Sequence, residues 1–428
     1  MTNQEQDLDP DHDEDFDEDY VPRILVIGAG PIGLEAALYA RYLGYEVAVI
    51  EQGTVADSVL RWGHVRMFSP FSMNSSALGV AALRAQHENA ELPEPDAILT
   101  GREYAEAYLL PLSRSDLLRG CVMQQVKVLS VGRDGILKTD VRDVDRSDFR
   151  FRVLVETPAG EDVIDADVVL DTTGVTGQQN FVGHGGMPAI GELVSRAHFS
   201  QPLPDILGAD RERFANRRVL VVGSGYSAAT NIVALDQLKS DAPDTQVTWI
   251  TRRECPETGP LPISENDRLP RRSELAQGAN NASHDHFDQT AVVSVAFDPL
   301  THEFTVSFGG KLTGERTFDQ IIPNVGFRPD TEIFGELQMA VCPASQAPLK
   351  TAEWIAAAGA IDALDQVAPG AHVLTNPEPN FYVLGSKSFG RNSNFLLAVG
   401  LMQIRDVFTV IADREDLDLY ATMEKLAG

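Results

Sequence analysis

A chain of 428 residues is too long for one small core, so its length suggests two or three domains. The formal net charge of −28 disfavours nucleic acid as a main partner, because phosphate binding needs a basic face. The longest uncharged apolar runs, such as residues 394–404, are too short to span a bilayer. Since the first residues also lack an apolar signal segment, we expect a cytoplasmic protein without a membrane partner.

Acidic residues are concentrated at the start of the chain. Residues 1–20 hold ten Asp and Glu side chains and no Lys or Arg, which leaves −18 of the −28 for the other 408 residues. Such a segment has too little apolar surface to offset the entropy lost on ordering. We predict a disordered tail whose main effect is solubility, with a docking or regulatory role as the alternative.

The first strong motif is "RILVIGAGPIG" at residues 23–33. An apolar strand runs directly into a glycine turn, a helix follows, and the next strand ends in Glu51. In a dinucleotide-binding fingerprint Gly28 permits the tight turn, Gly30 lets the backbone approach a pyrophosphate, and Gly33 lets helix and strand pack closely. The pyrophosphate lies at the helix N-terminus, and Glu51 is placed to accept hydrogen bonds from a ribose.

A second copy of this motif is "RVLVVGSGYSAA" at residues 218–229, with Gly223 and Gly225 and with Ala228 at the third position. Its following strand ends not in an acid but in Thr251, Arg252 and Arg253. Cations at this point suit a 2′-phosphate, so we predict that this half prefers NADPH to NADH. The alternative is that both arginines are ordinary surface charges.

Two further acid-led apolar strands, at residues 165–174 and 318–330, end in small-residue or glycine turns. Each marks a point where the chain crosses between two dinucleotide-binding domains. The predicted fold class is α/β with two Rossmann-like domains, one inserted in the other. The predicted order is an acidic tail at 1–20, a first domain at 21–195, an inserted domain at 196–322, and a return to the first domain at 323–428.

Together these motifs resemble the two-dinucleotide-domain flavoproteins, which include thioredoxin reductase-like enzymes and flavin-containing monooxygenases. The resemblance covers residues 22–411 and implies FAD at the first glycine motif and NADPH at the inserted one. For FAD it implies the binding residues Gly28, Gly30, Pro31, Ile32, Gly33, Glu51, Val126, Thr173, Gly174, Gly385 and Ser386. For NADPH the corresponding residues are Gly223, Gly225, Ser227, Ala228, Arg252 and Arg253.

The last FAD-binding element of the group is matched by residues 380–408, where a strand ends at a glycine and a helix follows. The group usually has Gly-Asp at that strand end to bind the ribityl chain, whereas this chain has Gly385 and Ser386. A serine hydroxyl still hydrogen-bonds a ribityl hydroxyl, but without charge assistance. We expect Asn392 and Asn394 to cap the helix that follows.

The stretch "WGHVRMFSPFSMNSS" at residues 62–76 mixes aromatic, apolar and polar residues without a helix or strand period. In this group the corresponding segment passes along the flavin ring. Flat side chains then pack against the ring, while His64, Arg66 and Asn74 meet its polar edge or a substrate. These three are the candidate catalytic residues. Asn74 resembles an asparagine of the flavin-containing monooxygenases, while His64 satisfied by backbone groups and Arg66 paired with a surface acid are the alternatives.

The resemblance leaves two reactions open. Disulfide reduction through the inserted domain is disfavoured, because Cys121, Cys255 and Cys342 are far apart and form no Cys-x-x-Cys pair. The leading expectation is a monooxygenase that forms a flavin C4a-hydroperoxide and oxygenates a small nucleophilic substrate. The alternatives are an NADPH:acceptor reductase and a flavin-bound redox sensor. The expected partners are the substrate and either O₂ or an electron acceptor, and a homodimer stays open.

Two weaker features bear on these alternatives. Ahead of the second glycine motif, His198 matches the end of a monooxygenase segment Phe-x-Gly-x-x-x-His, but Glu192 and Val194 replace its Phe and Gly. The stretch "HDHFD" at residues 284–288 contains metal-binding residue types, but it follows a long polar stretch that is typical of an exposed insertion. We therefore predict no metal.

Overall fold

The computed structural model describes residues 20–86, 91–142, 144–263, 267–359, 363–366 and 369–427. The predicted acidic tail lies outside the described residues, except for Tyr20. The strands of the first part are β1 (Arg23–Ile27), β2 (Glu46–Glu51), β3 (Val122–Gln124), β4 (Lys127–Arg133), β5 (Phe151–Thr157), β6 (Gly160–Ala166) and β7 (Val168–Asp171). The later strands are β8 (Arg218–Val222), β9 (Gln246–Ile250), β10 (Asp285–Phe287), β11 (Thr290–Asp298), β12 (Glu303–Gly310), β13 (Gly314–Phe318), β14 (Gln320–Pro323) and β15 (Phe381–Val383).

Helices cover the faces of the sheets and fill the connections between strands. The α-helices up to the second glycine motif are α1 (Pro31–Tyr42), α2 (Asp57–Leu60), α3 (Ala77–Gln86), α4 (Gly101–Tyr104), α5 (Leu110–Ser113), α6 (Glu192–Ser195) and α7 (Arg211–Phe214). The remaining ones are α8 (Tyr226–Leu238), α9 (Pro270–Asn281), α10 (Leu349–Ala358), α11 (Ala371–Leu374), α12 (Leu397–Ile411) and α13 (Leu419–Ala427). A π-helical turn, Ala105–Leu109, joins α4 to α5.

Two parallel sheets organise these elements. The first has the strand order β15-β7-β1-β2-β3 and the second the order β10-β9-β8-β14. Their central strands are runs of branched apolar residues buried on both faces, which is typical of parallel sheets covered by helices. All strands of the second sheet come between β7 and β15 in the chain, and both of those belong to the first sheet. The predicted α/β fold with one Rossmann-like domain inserted in another is confirmed.

Two antiparallel three-stranded sheets, β4-β5-β6 and β11-β12-β13, pack against the parallel ones. The apolar cluster that includes β11 and β12 also contains Val182 and Ala189, and Ile190 forms a bridge with Ser294. The predicted boundary at 195/196 remains a prediction. We propose that the inserted domain includes these earlier residues, because its core buries them.

Two chain segments link the domains and hydrogen-bond to each other. Asn180 donates its backbone N–H to the Gly326 carbonyl at 3.0 Å, and Arg328 donates its backbone N–H to Gln178 at 2.8 Å. Gln179 adds a side-chain bond to the carbonyl of Pro323 at 2.6 Å. The outgoing and returning segments therefore form one paired connection.

The start of α12 differs from the prediction. Its N-cap residue is Leu396, and no side chain caps it. Asn392 instead accepts the backbone N–H of Asn394 through Oδ1 at 2.9 Å, which closes a local turn ahead of the helix. The expectation that Asn392 and Asn394 cap this helix was wrong.

Across the described ranges, no helix has the length and apolar character needed to cross a membrane. Within the same ranges, no three His, Cys, Asp or Glu side chains are grouped so that they could hold a metal ion.

Candidate functional site

The first glycine turn joins β1 to α1. Gly28 has φ +106°, and a Cβ atom at Gly33 would lie 1.8 Å from the carbonyl oxygen of Gly28. Gly30 is the N-cap of α1 without a side-chain cap, Pro31 follows it, and a Cβ atom at Gly30 would meet nothing within 4 Å. The first turn of α1 thus begins at an open space, where backbone N–H groups and the helix dipole favour an anion.

Ile32 connects this turn to the end of the chain. It is 6% exposed, and its side chain lies 3.3 Å from the position of a Cβ atom at Gly385. A Cβ atom at Gly400 of α12 would lie 2.3 Å from Cδ1 of Ile32. The first glycine turn and the last element of the first domain therefore form one continuous surface.

Glu51 and Val126 lie together at the far end of this surface. The Glu51 carboxylate accepts backbone N–H groups from Ala29 at 2.9 Å and Gly53 at 2.8 Å. Val126 donates its backbone N–H to the Glu51 carbonyl at 3.0 Å. Beside them lies a groove of about 500 Å³, lined by Gln52, Gly53, Arg61, Gln125, Lys127, Glu156, Thr157 and Pro158.

The turns after β7 and β15 lie on the other side of the glycine turn. They contain the predicted FAD residues Thr173 and Gly174, and Gly385 and Ser386. A Cβ atom at Gly174 would lie 3.3 Å from Oγ of Ser386, so the two turns are adjacent. Gly385 donates its backbone N–H to Oε1 of Gln403 at 2.9 Å. Gln403 of α12 thus holds the turn after β15, and the sequence reasoning did not single this residue out.

The segment of residues 62–76 is irregular apart from one 3₁₀ turn, Phe71–Met73. Asn74 is 6% exposed and its amide is used locally. Its Nδ2 donates to the carbonyls of Ser69 at 3.1 Å and Pro70 at 2.8 Å, and its Oδ1 accepts from the Ser69 hydroxyl at 3.0 Å. Through these hydrogen bonds the Asn74 side chain holds the segment in its shape.

His64 and Arg66, the other two catalytic candidates, have exposed side chains. Arg66 donates to the carbonyl of Ile98 at 2.7 Å, and its guanidinium lies 3.9 Å from the Glu103 carboxylate. The structure therefore does not bring His64 and Arg66 into the buried network around Asn74.

A buried acid lies behind the same segment. Glu35 of α1 is 1% exposed and accepts hydrogen bonds from the hydroxyls of Ser76, at 2.7 Å, and Tyr108. Burial raises the pKa of the Glu35 carboxyl above its ordinary range, although these hydrogen bonds act in the opposite direction. The hydroxyl of Tyr104 donates to the Asn74 carbonyl at 2.6 Å. The shape of segment 62–76 thus depends on contacts with Glu35 of α1 and with the helical residues Tyr104 and Tyr108.

The second glycine turn repeats the geometry of the first. Gly223 has φ +126°, and a Cβ atom there would lie 2.0 Å from the Asn324 carbonyl oxygen. Gly225 is the N-cap of α8 without a side-chain cap, and a Cβ atom there would meet nothing within 4 Å. Ser227 lies in the first turn of α8, and Ala228 is fully buried. This turn also offers free space at a helix N-terminus.

β9 ends at Ile250 and is followed by the buried Thr251 and then by Arg252 and Arg253, whose side chains are exposed. Ile50 and Ile250 each accept the backbone N–H of the first glycine of the adjacent turn, so Thr251 corresponds to Glu51 and the two arginines come one and two residues later. His198, in contrast, stacks on Phe297 with ring centroids 3.8 Å apart. Glu192 uses its carboxylate to accept the backbone N–H groups of Val182 and Ala189. The side chains of His198 and Glu192 are therefore used in contacts within the inserted domain.

Both glycine turns fit the phosphates of a dinucleotide. At each, an uncapped helix N-terminus faces open space, and a charged side chain at or just after the end of the following strand suits a ribose or its phosphate. One aromatic contact joins the two sites. The ring of Phe68 in segment 62–76 meets the ring of Tyr226, the first residue of α8, with centroids 5.3 Å apart.

Solved structures with the same fold include both reductases and monooxygenases. A bacillithiol disulfide reductase from Bacillus cereus is 17% identical, with a TM-score of 0.63 over 92% of this chain and 100% of that one. A FAD-bound cadaverine monooxygenase from Erwinia amylovora is 14% identical, with a TM-score of 0.61 over 92% and 95%. An ornithine N-hydroxylase from Kutzneria sp. 744 is 15% identical, with a TM-score of 0.59 over 93% and 100%. At these identities the likeness concerns the fold.

Curated protein sequences give no match to this chain. The model of the pyridine nucleotide-disulphide oxidoreductase family, however, matches residues 25–356, which is well over half of the chain. The match spans both glycine turns and the strands around them. The protein therefore belongs to the pyridine nucleotide-disulphide oxidoreductase family and is a flavoprotein oxidoreductase with two dinucleotide-binding domains.

Proposed function

We propose that this protein is a FAD-dependent, NADPH-using monooxygenase that acts on a small nucleophilic substrate. The observation that supports it most is the state of the cysteines. The chain has three, and Cys121, Cys255 and Cys342 are all free. Reduced flavin therefore has no disulfide within one chain to reduce, and its electrons go to an external molecule. The fold shared with two solved monooxygenases is compatible with O₂ as that molecule.

In this proposal the first domain holds FAD along the surface described above. The N-terminus of α1 at Gly30 binds the pyrophosphate, Glu51 binds the adenosine ribose, and the backbone at Val126 contacts the adenine. The turns at Thr173 and Ser386 then face the ribityl chain and the flavin. When bound, FAD accepts a hydride from NADPH and supplies the reaction with O₂.

The inserted domain holds NADPH in the same manner. Gly225 leaves room for the pyrophosphate at the N-terminus of α8, where Ser227 offers a hydroxyl. Arg252 and Arg253 bind the 2′-phosphate, since exposed guanidinium groups form charge-assisted hydrogen bonds with phosphate oxygens. Trp249 holds the second glycine turn in place, because its indole N–H donates to the Gly223 carbonyl at 2.6 Å.

The substrate-side residues are Asn74, His64 and Arg66. Asn74 shapes the segment that faces the flavin, while the exposed His64 and Arg66 are available to a substrate. The protein's main tasks are to orient the reactants and to exclude water, because the cofactor supplies the difficult chemistry. A soft nucleophile needs no strong general base, which fits the lack of a hydrogen-bonded catalytic triad among the described candidates.

A reductase that passes electrons to an external acceptor is the second candidate. It is favoured by the family's own description and by the likeness to a bacillithiol disulfide reductase. An acidic surface would suit a basic protein acceptor. In either case we propose that the protein forms a homodimer, and measurement of its mass in solution tests this.

Anaerobic reduction followed by mixing with O₂ separates the two functions. FAD-loaded protein is reduced with NADPH, and absorbance is followed between about 370 and 450 nm, where flavin states differ. A monooxygenase is expected to show a transient species at the short-wavelength end before the oxidised spectrum returns. Direct return of the oxidised spectrum, together with rapid NADPH oxidation when a quinone or disulfide is added, would contradict the proposal and favour the reductase.

A further inference from the structure

Two opposite charges are buried together beneath the turns after β7 and β15. Lys387 is 1% exposed, Asp171 is 0% exposed, and the ammonium of Lys387 lies 2.6 Å from Oδ2 of Asp171. The same ammonium lies 5.2 Å from the ring centre of Phe334. Removing two charges from water is unfavourable, and an apolar pair of similar size is often at least as stable. The stability of the fold alone therefore does not account for this pair.

The pair fastens two chain segments that the proposed FAD site needs in one place. Asp171 is the last residue of β7, and Lys387 lies in the 3₁₀ helix Gly385–Phe389 after β15. Oδ1 of Asp171 accepts the hydroxyl of Thr173 at 2.7 Å and its backbone N–H at 3.2 Å. Lys387 donates to the same Thr173 hydroxyl at 3.0 Å. The Thr173 hydroxyl thus both donates and accepts a hydrogen bond within the protein.

The order of the strands places this pair near the flavin. In the first sheet β2 and Glu51 lie on one side of β1, while β7 and β15 lie on the other. A dinucleotide with its ribose at Glu51 and its pyrophosphate at Gly30 extends its other half towards β7 and β15. The buried charges are therefore close to the flavin half of FAD.

We infer that Lys387 and Asp171 are positioning residues for the flavin, which hold the turns at 172–174 and 385–386 in the arrangement that binds FAD. This inference rests on the FAD site of the proposed function. The paired charges nearly cancel, but either one alone would act over several ångströms in an interior of low dielectric constant. Because reduction adds negative charge to the flavin, an unpaired Asp171 disfavours reduction and an unpaired Lys387 favours it.

The test compares Lys387→Met and Asp171→Asn with the wild type and with Lys425→Met. Lys425 is an exposed lysine of the C-terminal helix α13, so its variant is a matched control. FAD affinity is measured by titrating the apoprotein, and the midpoint potential of the bound flavin is measured at saturating FAD. Both single variants are expected to raise the FAD dissociation constant by about tenfold or more. The potential should become more negative in Lys387→Met and more positive in Asp171→Asn.

Opposite shifts of the potential would be difficult to obtain from a general loosening of the fold. FAD affinity within about twofold of wild type in both variants, or potentials shifted in the same direction, would overturn the inference. If the single variants do not fold, Asp171→Asn/Lys387→Met leaves no unpaired charge and takes their place. If the inference is correct, that double variant still binds FAD about tenfold more weakly than the wild type does. Wild-type affinity in the double variant would show that the pair is merely structural. Failure of the wild type to bind FAD would refute the proposed function and this inference together.

Discussion

Gly30 and Gly33 are in the same turn but are surrounded differently. A Cβ atom at Gly33 would lie 1.8 Å from the Gly28 carbonyl oxygen and 2.6 Å from Oγ1 of Thr172. Nothing lies within 4 Å of a Cβ atom at Gly30, and its φ of −82° suits any residue. The fold therefore requires glycine at position 33, whereas at position 30 only a bound phosphate would require it.

We expect Gly33→Ala to lower the free energy of unfolding by about 2–4 kcal/mol, because backbone atoms must move to admit the methyl group. Gly30→Ala should change that free energy by less than about 0.5 kcal/mol and weaken FAD binding by about tenfold or more. Urea unfolding and FAD titration of both variants check this. Wild-type FAD affinity in Gly30→Ala would contradict a pyrophosphate at the N-terminus of α1.

Glu35 should make stability depend on pH. Since burial raises the pKa of Glu35, the folded protein binds its proton more tightly than the unfolded chain does. The contribution of Glu35 to stability is fully present below the pKa of the unfolded chain, about 4.3. It is lost as the pH rises from there through the raised pKa of the folded state.

Glu35→Gln keeps a neutral side chain of the same shape, so its stability relative to wild type should increase as the pH rises above about 4.3, the pKa in the unfolded chain. Urea unfolding across that range measures the difference. Glu103→Gln is the control, because a backbone hydrogen bond from Thr100 lowers the pKa of the exposed Glu103. Its effect has the opposite sign, since that contribution is lost as the pH falls. Parallel pH curves for wild type and Glu35→Gln would count against a protonated Glu35.

At the scale of elements, the glycine turns and most strands of both parallel sheets were predicted from the sequence, because their signals are local. The edge strands β3 and β10 were not predicted, and β10 lies in the stretch at residues 284–288 for which an exposed insertion was expected. Apolar runs of branched residues and the glycine spacing lie within about 30 consecutive residues. The start of α12 was missed because the Asn392 side chain accepts the backbone N–H of Asn394 in a local turn and does not cap the helix, which begins after Leu396. The contacts of Lys387 with Asp171 and Thr173 join residues far apart in the chain, and a single sequence has no signal for such pairs.

The end of β9 should decide which nicotinamide coenzyme is used. Arg252→Ala/Arg253→Ala removes both exposed guanidinium groups, each of which would contribute about 1.5–3 kcal/mol as a hydrogen bond to a charged phosphate. We expect kcat/KM for NADPH to fall by about 100-fold or more and kcat/KM for NADH to stay within about twofold. Steady-state kinetics with both coenzymes measures this. Arg84→Ala, an exposed arginine of α3 in the first domain, is the control. Equal losses with NADH and NADPH would contradict binding of the 2′-phosphate.

At the scale of the whole molecule, the inserted domain contacts the first domain at the start of α8. Phe68 belongs to the segment proposed to face the flavin, and Tyr226 begins the helix at the second glycine turn. Their contact, together with the paired linking segments at Asn180 and Gly326, brings the two halves together at the proposed path of hydride transfer. Both sites also share one electrostatic environment, which is strongly negative overall.

NADPH is itself an anion, so a net charge of −28 opposes its approach. Residues 1–19 carry ten of these charges without a compensating cation. We expect their deletion to lower the KM for NADPH by about two- to fivefold at an ionic strength near 0.01 M, where the Debye length is about 30 Å. Near 1 M, where it is about 3 Å, the difference should vanish.

The deletion keeps Tyr20, because its hydroxyl donates to the Asp167 carboxylate at 2.6 Å and belongs to the folded domain. The kcat serves as the control and should not change, since the repulsion lowers the occupancy of the NADPH site and not the reaction of the bound complex. A loss of kcat in the truncated protein at every ionic strength would contradict this electrostatic role. It would show instead that the acidic segment docks a partner or regulates the enzyme.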